Sequence, residues 1–240
     1  MINEIRRQEI ADNLAEVKTE IKNTCEMVGR DPEEVRLIAV SKNFPVADIE
    51  CALLSGQYDF GENRVQELTP KIDALVDHSD INWHLIGTLQ RNKVKFVTGR
   101  VVFIHSVDTL RLINQIQRLS AKNECCSDIL LQVNISGEET KFGFEPEDLD
   151  EAFEHTLKTC PQVRIRGLMT MAPWYDDPDD TKPVFAEAAR LIAEFKEKYQ
   201  LDYLDQLSMG MSHDYKQAIA CGSTMVRIGT AIFGHRDYSS

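Results

Sequence analysis

The sequence predicts a single (β/α)8 barrel preceded by an N-terminal helix and spanning residues 1–240. Eight short apolar runs recur along the chain, and segments with helical spacing separate them. These runs lack the apolar–polar alternation of a half-exposed strand, which indicates a parallel sheet buried on both faces. Eight strand–helix repeats in a chain of this length are typical of a (β/α)8 barrel. A doubly wound open sheet has the same repeat and stays open as an alternative, because spacing does not show closure.

The elements follow in a regular order. A helix is predicted from Asn3 to about Val28, since apolar residues recur at helical spacing and Gly29 then provides a stop. The strand candidates are, in order, 35–40, 58–63, 81–87, 101–107, 128–134, 164–170, 203–210 and 224–229. Helical spacing between them is clearest at 108–119 and 183–199. No Gly/Ser-rich or Pro-rich linker divides the chain, so we expect one domain.

Composition and charge exclude several classes of function. The formal net charge of −12 disfavours binding to nucleic acid or to anionic lipid, since both repel an acidic surface. The N-terminus is charged rather than signal-like, and no apolar stretch is long enough to span a membrane. The six cysteines have no framework spacing, which is typical of reduced thiols in a cytoplasmic protein. We therefore expect a soluble, cytoplasmic protein, and we predict a monomer.

Two basic residues stand out at strand ends, where the chemistry of such barrels gathers. Lys42 directly follows the first apolar run, and partial burial there would lower the pKa of its amine and let it attack a carbonyl. Arg227 interrupts the last run, and a buried guanidinium needs a partner or a ligand. The alternatives are a solvated loop lysine and a structural ion pair.

Two loops of small residues follow the last two strand candidates. They contain Ser208 and Ser212 in the first loop and Gly229 and Thr230 in the second, and a helix is expected to begin near Ser212. In this fold the last strands commonly form a phosphate site. His84 and His105 lie within apolar strands, where a structural role is the simpler interpretation. Their spacing predicts no metal site, and nucleotide-binding fingerprints are absent.

Long strings of the sequence resemble one family. They are LIAVSK (37–42), FGENRVQE (60–67), WHLIGTLQRNK (83–93), IHSVD (104–108), LLQVNISGEETKFGF (130–144), RGLMTMAP (166–173) and the stretch 207–238. These strings resemble the pyridoxal phosphate homeostasis proteins, whose barrel is similar to the N-terminal domain of alanine racemase. The resemblance spans nearly the whole chain and implies pyridoxal phosphate as the cofactor.

Residue by residue, the resemblance implies specific roles. Lys42 resembles the lysine that forms the Schiff base, and Arg227 resembles the arginine that faces the pyridine nitrogen. Ser208, Ser212, Gly229 and Thr230 resemble the phosphate-binding residues, and Asn63 and His84 lie in motifs near the cofactor. The sequence departs from the family pattern at Asn43-Phe44, after the lysine, and at His235.

The expected role is storage and delivery of the cofactor, as part of vitamin B6 and amino-acid/keto-acid homeostasis, without catalysis. An arginine cannot protonate the pyridine nitrogen, which leaves the ring a weak electron sink. We also expect no second domain after Ser240 to supply the second base of a racemase. The alternatives are a slow racemase or another pyridoxal phosphate enzyme, a cofactor-free aldolase-type barrel, and an interaction role. Delivery requires transient contact with apo-enzymes.

Overall fold

The structure, a computed structural model that describes residues 3–138 and 142–234, has a closed barrel at its centre. Eight parallel strands pair in chain order, and the first strand also pairs with the last, with Ile38 beside Arg227. This closure excludes the doubly wound open sheet and confirms the predicted (β/α)8 barrel. Among the described residues, no helix is both long and apolar enough to cross a membrane.

All eight predicted strands are present, with ends shifted by a few residues. They are β1 (Arg36–Val40), β2 (Asp59–Glu62), β3 (Asn82–Leu85), β4 (Phe103–Val107), β5 (Ser127–Gln132), β6 (Val163–Met169), β7 (Gln206–Met211) and β8 (Met225–Ile228). The described helices are α1 (Glu4–Met27), α2 (Val46–Leu54), α3 (Val65–Ala74), α4 (Leu110–Lys122), α5 (Leu149–Thr159), α6 (Lys182–Tyr199), α7 (Tyr215–Ala220) and α8 (Thr230–Phe233).

Two connections differ from the sequence prediction. Between β3 and β4 the chain forms a 3₁₀ helix, Arg91–Phe96, in place of an α-helix, and it buries Val94. Helix α7 begins at Tyr215 instead of near Ser212. The reason is a turn in which the Asp214 carboxylate accepts a hydrogen bond from the N–H of Met211 at 2.6 Å. Because this turn includes residues 211–214, the helix begins only after Asp214.

Helix α1 packs on the outer ring of the barrel. The side chain of Asn3 accepts the N–H of Ile5 and so caps the first turn. One buried stripe, Ile10, Leu14, Val17, Ile21 and Cys25, faces the barrel, and the helix contacts α2, α7 and α8. Arg6 donates to Asp48 on α2 and to the carbonyl of Phe233 on α8. The helix therefore joins the first and last elements of the ring.

The side chains inside the barrel differ from those outside it. Outward-facing residues pack under the helices in one large cluster, whereas a separate small cluster fills the interior: Ile38, Phe103, Leu130, Met169 and Met225. Alternation along each strand places polar residues on the same inner face, among them His84, His105, Ser208 and Arg227. All four are buried. The barrel interior is thus half apolar and half polar.

Candidate functional site

A cavity of about 930 Å³ opens at the C-terminal ends of the strands, where the βα loops meet. Its wall contains six of the eight residues singled out from the sequence: Lys42, Asn63, Ser212, Arg227, Gly229 and Thr230. The structure places Ser208 and His84 elsewhere, in the barrel interior beneath the cavity. The closed barrel therefore brings residues from both ends of the chain into one site.

Lys42 lies in a tight turn directly after β1. The N–H of Phe44 donates to the carbonyl of Ser41 at 3.0 Å, and Asn43 at the third position of the turn has a φ of 65°. Asparagine tolerates this left-handed conformation better than most residues do, which gives a physical reason for Asn43 after the lysine. The N–H of Asn43 donates to Glu67 on α3 at 2.8 Å. The turn thus holds Lys42 at the cavity wall.

A buried polar cluster fixes the residue before the lysine. The Ser41 hydroxyl donates to Glu62 at 2.7 Å, and the Lys71 ammonium donates to the same Glu62 oxygen at 2.5 Å and to the Ser41 carbonyl at 2.8 Å. Burial raises the pKa of the Glu62 carboxyl, and the nearby Lys71 charge opposes that rise. An ammonium, a carboxylate and a hydroxyl therefore anchor the base of the Lys42 turn.

Arg227 is a buried guanidinium in the cavity wall. Its Nη1 donates to the Ser208 hydroxyl at 2.5 Å, and its Nη2 donates to the carbonyl of Thr170 at 3.1 Å. Burial lowers the pKa of Arg227 to about 10, and the Asp214 carboxylate opposes that shift. The group therefore stays charged at neutral pH. A guanidinium has five N–H donors, so these two bonds leave donors for a ligand in the cavity.

The ends of β7 and β8 contribute small residues to the wall beside Arg227. A Cβ at Gly229 would lie 3.1 Å from the carbonyl oxygen of Val40, so glycine lets the end of β8 pack against the end of β1, next to Lys42. The side chains of Ser212 and Thr230 are exposed at the cavity and add two hydroxyls. Backbone and hydroxyl donors thus lie within the same wall as the guanidinium.

Asn63 is placed by a close contact between two strand ends. A Cβ at Gly87 would lie 2.4 Å from the Asn63 carbonyl oxygen, so only glycine permits this packing of the β3 end on the β2 end. Both residues line the cavity. The structure therefore brings Asn63 to the site.

Ser208 and His84 form hydrogen bonds with other side chains inside the barrel. The Ser208 hydroxyl lies 3.0 Å from Nδ1 of His105 and accepts from Arg227, and no part of the residue is exposed. His84 bonds to His105 and to Asp59, each at 3.0 Å. Neither side chain reaches the cavity wall, because both point into the barrel interior, below the level of the βα loops. Ser208 therefore supports Arg227 from beneath instead of standing among the wall hydroxyls.

Sequence reasoning missed the rim of the cavity and the residues that support its wall. Trp174 is 75% exposed and stacks on His213 with ring centroids 4.1 Å apart, and Phe142 also lines the cavity. Thr170, directly after β6, accepts a hydrogen bond from Arg227 through its carbonyl, and the Asp214 carboxylate in the loop after β7 favours the charged guanidinium. A tryptophan shortly after a predicted strand was the signal that could have revealed the cavity rim. The interactions of Arg227 with the Thr170 carbonyl and the Asp214 carboxylate leave no signal in the sequence.

The comparisons with known proteins agree over almost the whole chain. The family model for the alanine racemase N-terminal domain matches residues 5–237. A protein of Aquifex aeolicus named pyridoxal phosphate homeostasis protein is 45% identical over 227 residues, covering 95% of this chain and 98% of that protein. The Escherichia coli K12 protein of the same name is 40% identical, covering 96% of this chain and 98% of that protein. The chain belongs to this family.

Solved structures agree with this family membership. The PipY protein of Synechococcus elongatus, solved with PLP bound, has a TM-score of 0.83 and 38% identity, covering 94% of this chain and 100% of that chain. A protein from Bifidobacterium adolescentis described as unknown has a TM-score of 0.91 and 33% identity, covering 97% and 98%. Clostridium difficile alanine racemase, at 14% identity and a TM-score of 0.73, shares the barrel fold, and this chain covers 58% of it.

Within residues 3–138 and 142–234, no group of three or more His, Cys, Asp or Glu side chains could hold a metal ion. His235, where this sequence departs from the family pattern, lies outside the described residues. The candidate site is therefore a cavity with an amine, a buried guanidinium and hydroxyl donors, which suits an anionic ligand with a reactive carbonyl.

Proposed function

We propose that this chain binds pyridoxal phosphate covalently at Lys42 and stores and delivers it, as a member of the pyridoxal phosphate homeostasis family. The observation that carries the proposal is that Lys42 and Arg227 lie in the wall of one cavity. The two residues are far apart in the sequence, at opposite ends of the chain. An amine for the aldehyde and a cation for the ring are thus present together.

The residues present fit the cofactor in size and in chemistry. Ligand cavities of about 300–1,000 Å³ are usual for small molecules, and this cavity of about 930 Å³ falls in that range. Ser212, Thr230 and the backbone at Gly229 form a donor-rich wall for the phosphate. The charged Arg227 nearby favours an anion.

Each residue has a defined task in the proposal. Lys42 would supply the amine that condenses with the aldehyde and releases water, and the Ser41–Glu62–Lys71 cluster keeps its turn in place. Arg227 would donate a hydrogen bond to the pyridine nitrogen, and Asn63 lines the same cavity from the end of β2. In its enzymes this cofactor acts as an electron sink for carbanions, which is strongest when the ring nitrogen is protonated. A guanidinium at about pKa 10 keeps its proton, so Arg227 leaves that sink weak.

A carrier role follows from these properties. Racemisation by two bases needs a proton donor on each face of the substrate. No tyrosine stands among the described residues that line the cavity, and its histidine, His213, stacks on Trp174 and bonds to the Tyr175 carbonyl. Delivery by such a carrier involves transient contact with apo-enzymes that need the cofactor.

The test is loading followed by transfer. Purified protein is incubated with pyridoxal phosphate, freed of excess, reduced with borohydride and digested, and the modified peptide is mapped by mass spectrometry. We expect the cofactor on Lys42 and none on Lys42→Ala; Lys158→Ala, on the exposed face of α5, is the matched control. Modification spread evenly over surface lysines would overturn the proposal.

Transfer is measured by mixing the loaded, unreduced protein with an apo-enzyme and comparing activation with that by free cofactor. We expect activation at cofactor concentrations too low for the free compound. A slow racemase, the second candidate that the alanine racemase family model favours, would instead exchange the α-deuterium of an amino acid with solvent at steady turnover.

A further inference from the structure

A continuous chain of hydrogen-bonded side chains crosses the interior of the barrel, from the N-terminal ends of the strands to the cavity. Asp59 Oδ1 lies 3.0 Å from His84 Nε2, and His84 Nδ1 lies 3.0 Å from His105 Nε2. His105 Nδ1 lies 3.0 Å from the Ser208 hydroxyl, which lies 2.5 Å from Arg227 Nη1. Four consecutive bonds thus join a carboxylate at one end of the barrel to the guanidinium at the other.

The carboxylate end sets the direction of these bonds when both rings are neutral. The Asp59 carboxylate only accepts, so His84 carries its proton on Nε2 and leaves Nδ1 as an acceptor. His105 then donates to that Nδ1 from its own Nε2–H, and its Nδ1 accepts from the Ser208 O–H. The Ser208 oxygen accepts from Arg227, since a guanidinium only donates. Neutral rings in this arrangement are therefore both Nε2–H tautomers.

The surroundings of the two histidines agree with neutral rings. Both are fully buried, and His84 stacks on Phe103 with an angle of 11° between the ring planes. Burial lowers the pKa of His84 and, together with the neighbouring charges, lowers that of His105 well below 6.5. The charged groups facing the chain are Asp59, Arg36 and Arg227. The Asp59 carboxylate favours a charged His84, but burial outweighs it.

The Asp59 end of this hydrogen-bonded series lies at a second cavity. Asp59 keeps 18% of its side chain exposed and lies 3.6 Å from Arg36. Both line a cavity of about 460 Å³ at the N-terminal ends of β1 and β2, opposite the Lys42 side. Groups at this end of the barrel therefore contact the solvent, whereas His84, His105 and Ser208 do not.

We propose that Asp59, His84, His105 and Ser208 are positioning residues that orient the Arg227 guanidinium for its ligand, so that the carboxylate at the barrel base controls the cofactor site. A serine hydroxyl can rotate, and only an unprotonated Nδ1 on His105 compels it to turn its O–H away and present a lone pair to Arg227. Asp59 sets that tautomer through His84. This inference rests on the proposed binding of pyridoxal phosphate beside Arg227.

The test begins with the tautomers in the cofactor-free protein, read from the ¹⁵N shifts of the imidazoles in wild type. We expect His84 and His105 as neutral Nε2–H tautomers at pH 7. Either ring found protonated, or carrying its proton on Nδ1, overturns the inference without any variant.

Three variants then separate the carboxylate's role from general damage. Asp59→Ala removes the acceptor, Asp59→Asn keeps an acceptor oxygen, and Asp128→Ala removes a carboxylate of similar exposure that pairs with Arg164 and Arg166 on the same end of the barrel. We expect Asp59→Ala to change the tautomer of His105, which it does not touch, and to raise the Kd for pyridoxal phosphate about tenfold. Asp59→Asn is expected to restore both properties.

The outcomes distinguish this inference from the proposed function. If wild type takes up no cofactor at Lys42, the proposed function fails while the tautomer measurement still stands. If wild type is loaded at Lys42 but Asp59→Ala matches Asp128→Ala in both His105 tautomer and Kd, the inference is overturned and the proposed function stands.

Discussion

At the scale of the residue, two basic side chains characterise the candidate site. Lys42 occupies a turn whose third residue has a left-handed backbone, and its neighbour Ser41 is held by a buried ammonium and carboxylate. Arg227 is buried but has partners on two sides, Ser208 and Thr170. A charge that is removed from water needs such partners, because an unpaired one costs several kcal/mol.

Arg227→Gln is expected to weaken cofactor retention and leave attachment at Lys42 intact. Glutamine can still donate to Ser208, but it loses the charge, and a charge-assisted hydrogen bond contributes roughly 1.5–3 kcal/mol. We expect Kd to rise about 10- to 100-fold. Equilibrium dialysis measures retention, and borohydride trapping checks attachment.

Arg118→Gln, on the exposed face of α4, is the control for loss of a surface charge and is expected to match wild type. Retention by Arg227→Gln equal to that of Arg118→Gln would show that the guanidinium does not contact the ligand.

At the scale of the element, the sequence pattern predicted the strands well and the connections less well. All eight apolar runs are strands, because burial on both faces leaves a continuous apolar signal. The β3–β4 connection is a 3₁₀ helix, and α7 starts late because the Asp214 side chain closes a turn. Such local side-chain bonds compete with helix formation, and the periodicity of apolar residues does not report them.

The loop after β1 is expected to depend on the Glu62–Lys71 pair. Lys71→Met leaves the Glu62 carboxylate buried with the Ser41 hydroxyl as its hydrogen-bond donor, which is expected to lower the free energy of unfolding by about 3–5 kcal/mol. Adding Glu62→Gln removes the unpaired charge and is expected to recover most of that loss. Urea unfolding of the two single variants and the double variant measures the coupling.

The matched control is Lys158→Met, which breaks the exposed pair with Glu154 and is expected to change stability little. Equal losses in Lys71→Met and Lys158→Met would contradict a structural role for the buried pair.

At the scale of the whole molecule, closure of the barrel makes one interior from residues of five different strands. The hydrogen-bonded side chains from Asp59 to Arg227 come from β2, β3, β4, β7 and β8. The interior holds this hydrogen-bonded series beside an apolar cluster, so the same barrel core both packs and, as we propose, orients the Arg227 side chain.

The two buried histidines are expected to make the fold sensitive to mild acid. Their pKa values in the folded protein lie below the usual 6.5, so below pH 6.5 the unfolded chain binds protons that the folded chain does not. Stability is therefore full above pH 6.5 and falls as the pH drops below it, by up to about 1.4 kcal/mol per pH unit for each histidine. Urea unfolding between pH 7.5 and 5.5 measures the slope.

His105→Gln is expected to reduce that slope, and His78→Gln, at an exposed position, is expected to leave it unchanged. Imidazole resonances of His84 and His105 in wild type give the same answer without a variant. Titration of either ring near pH 6.5 would refute the expectation.

The sequence by itself determined the strand–helix order, the lysine after β1, the arginine within β8 and the small-residue loops beside it. These features are local: each follows from residue type, spacing and a neighbouring apolar run. Only the tertiary structure decided that β1 pairs with β8, that Ser208 and His84 lie beneath the cavity, and that Asp59 connects to Arg227 through two histidines and a serine. Hydrogen bonds between side chains on different strands depend on closure and on which way each strand faces, and neither leaves a trace in the spacing of one strand.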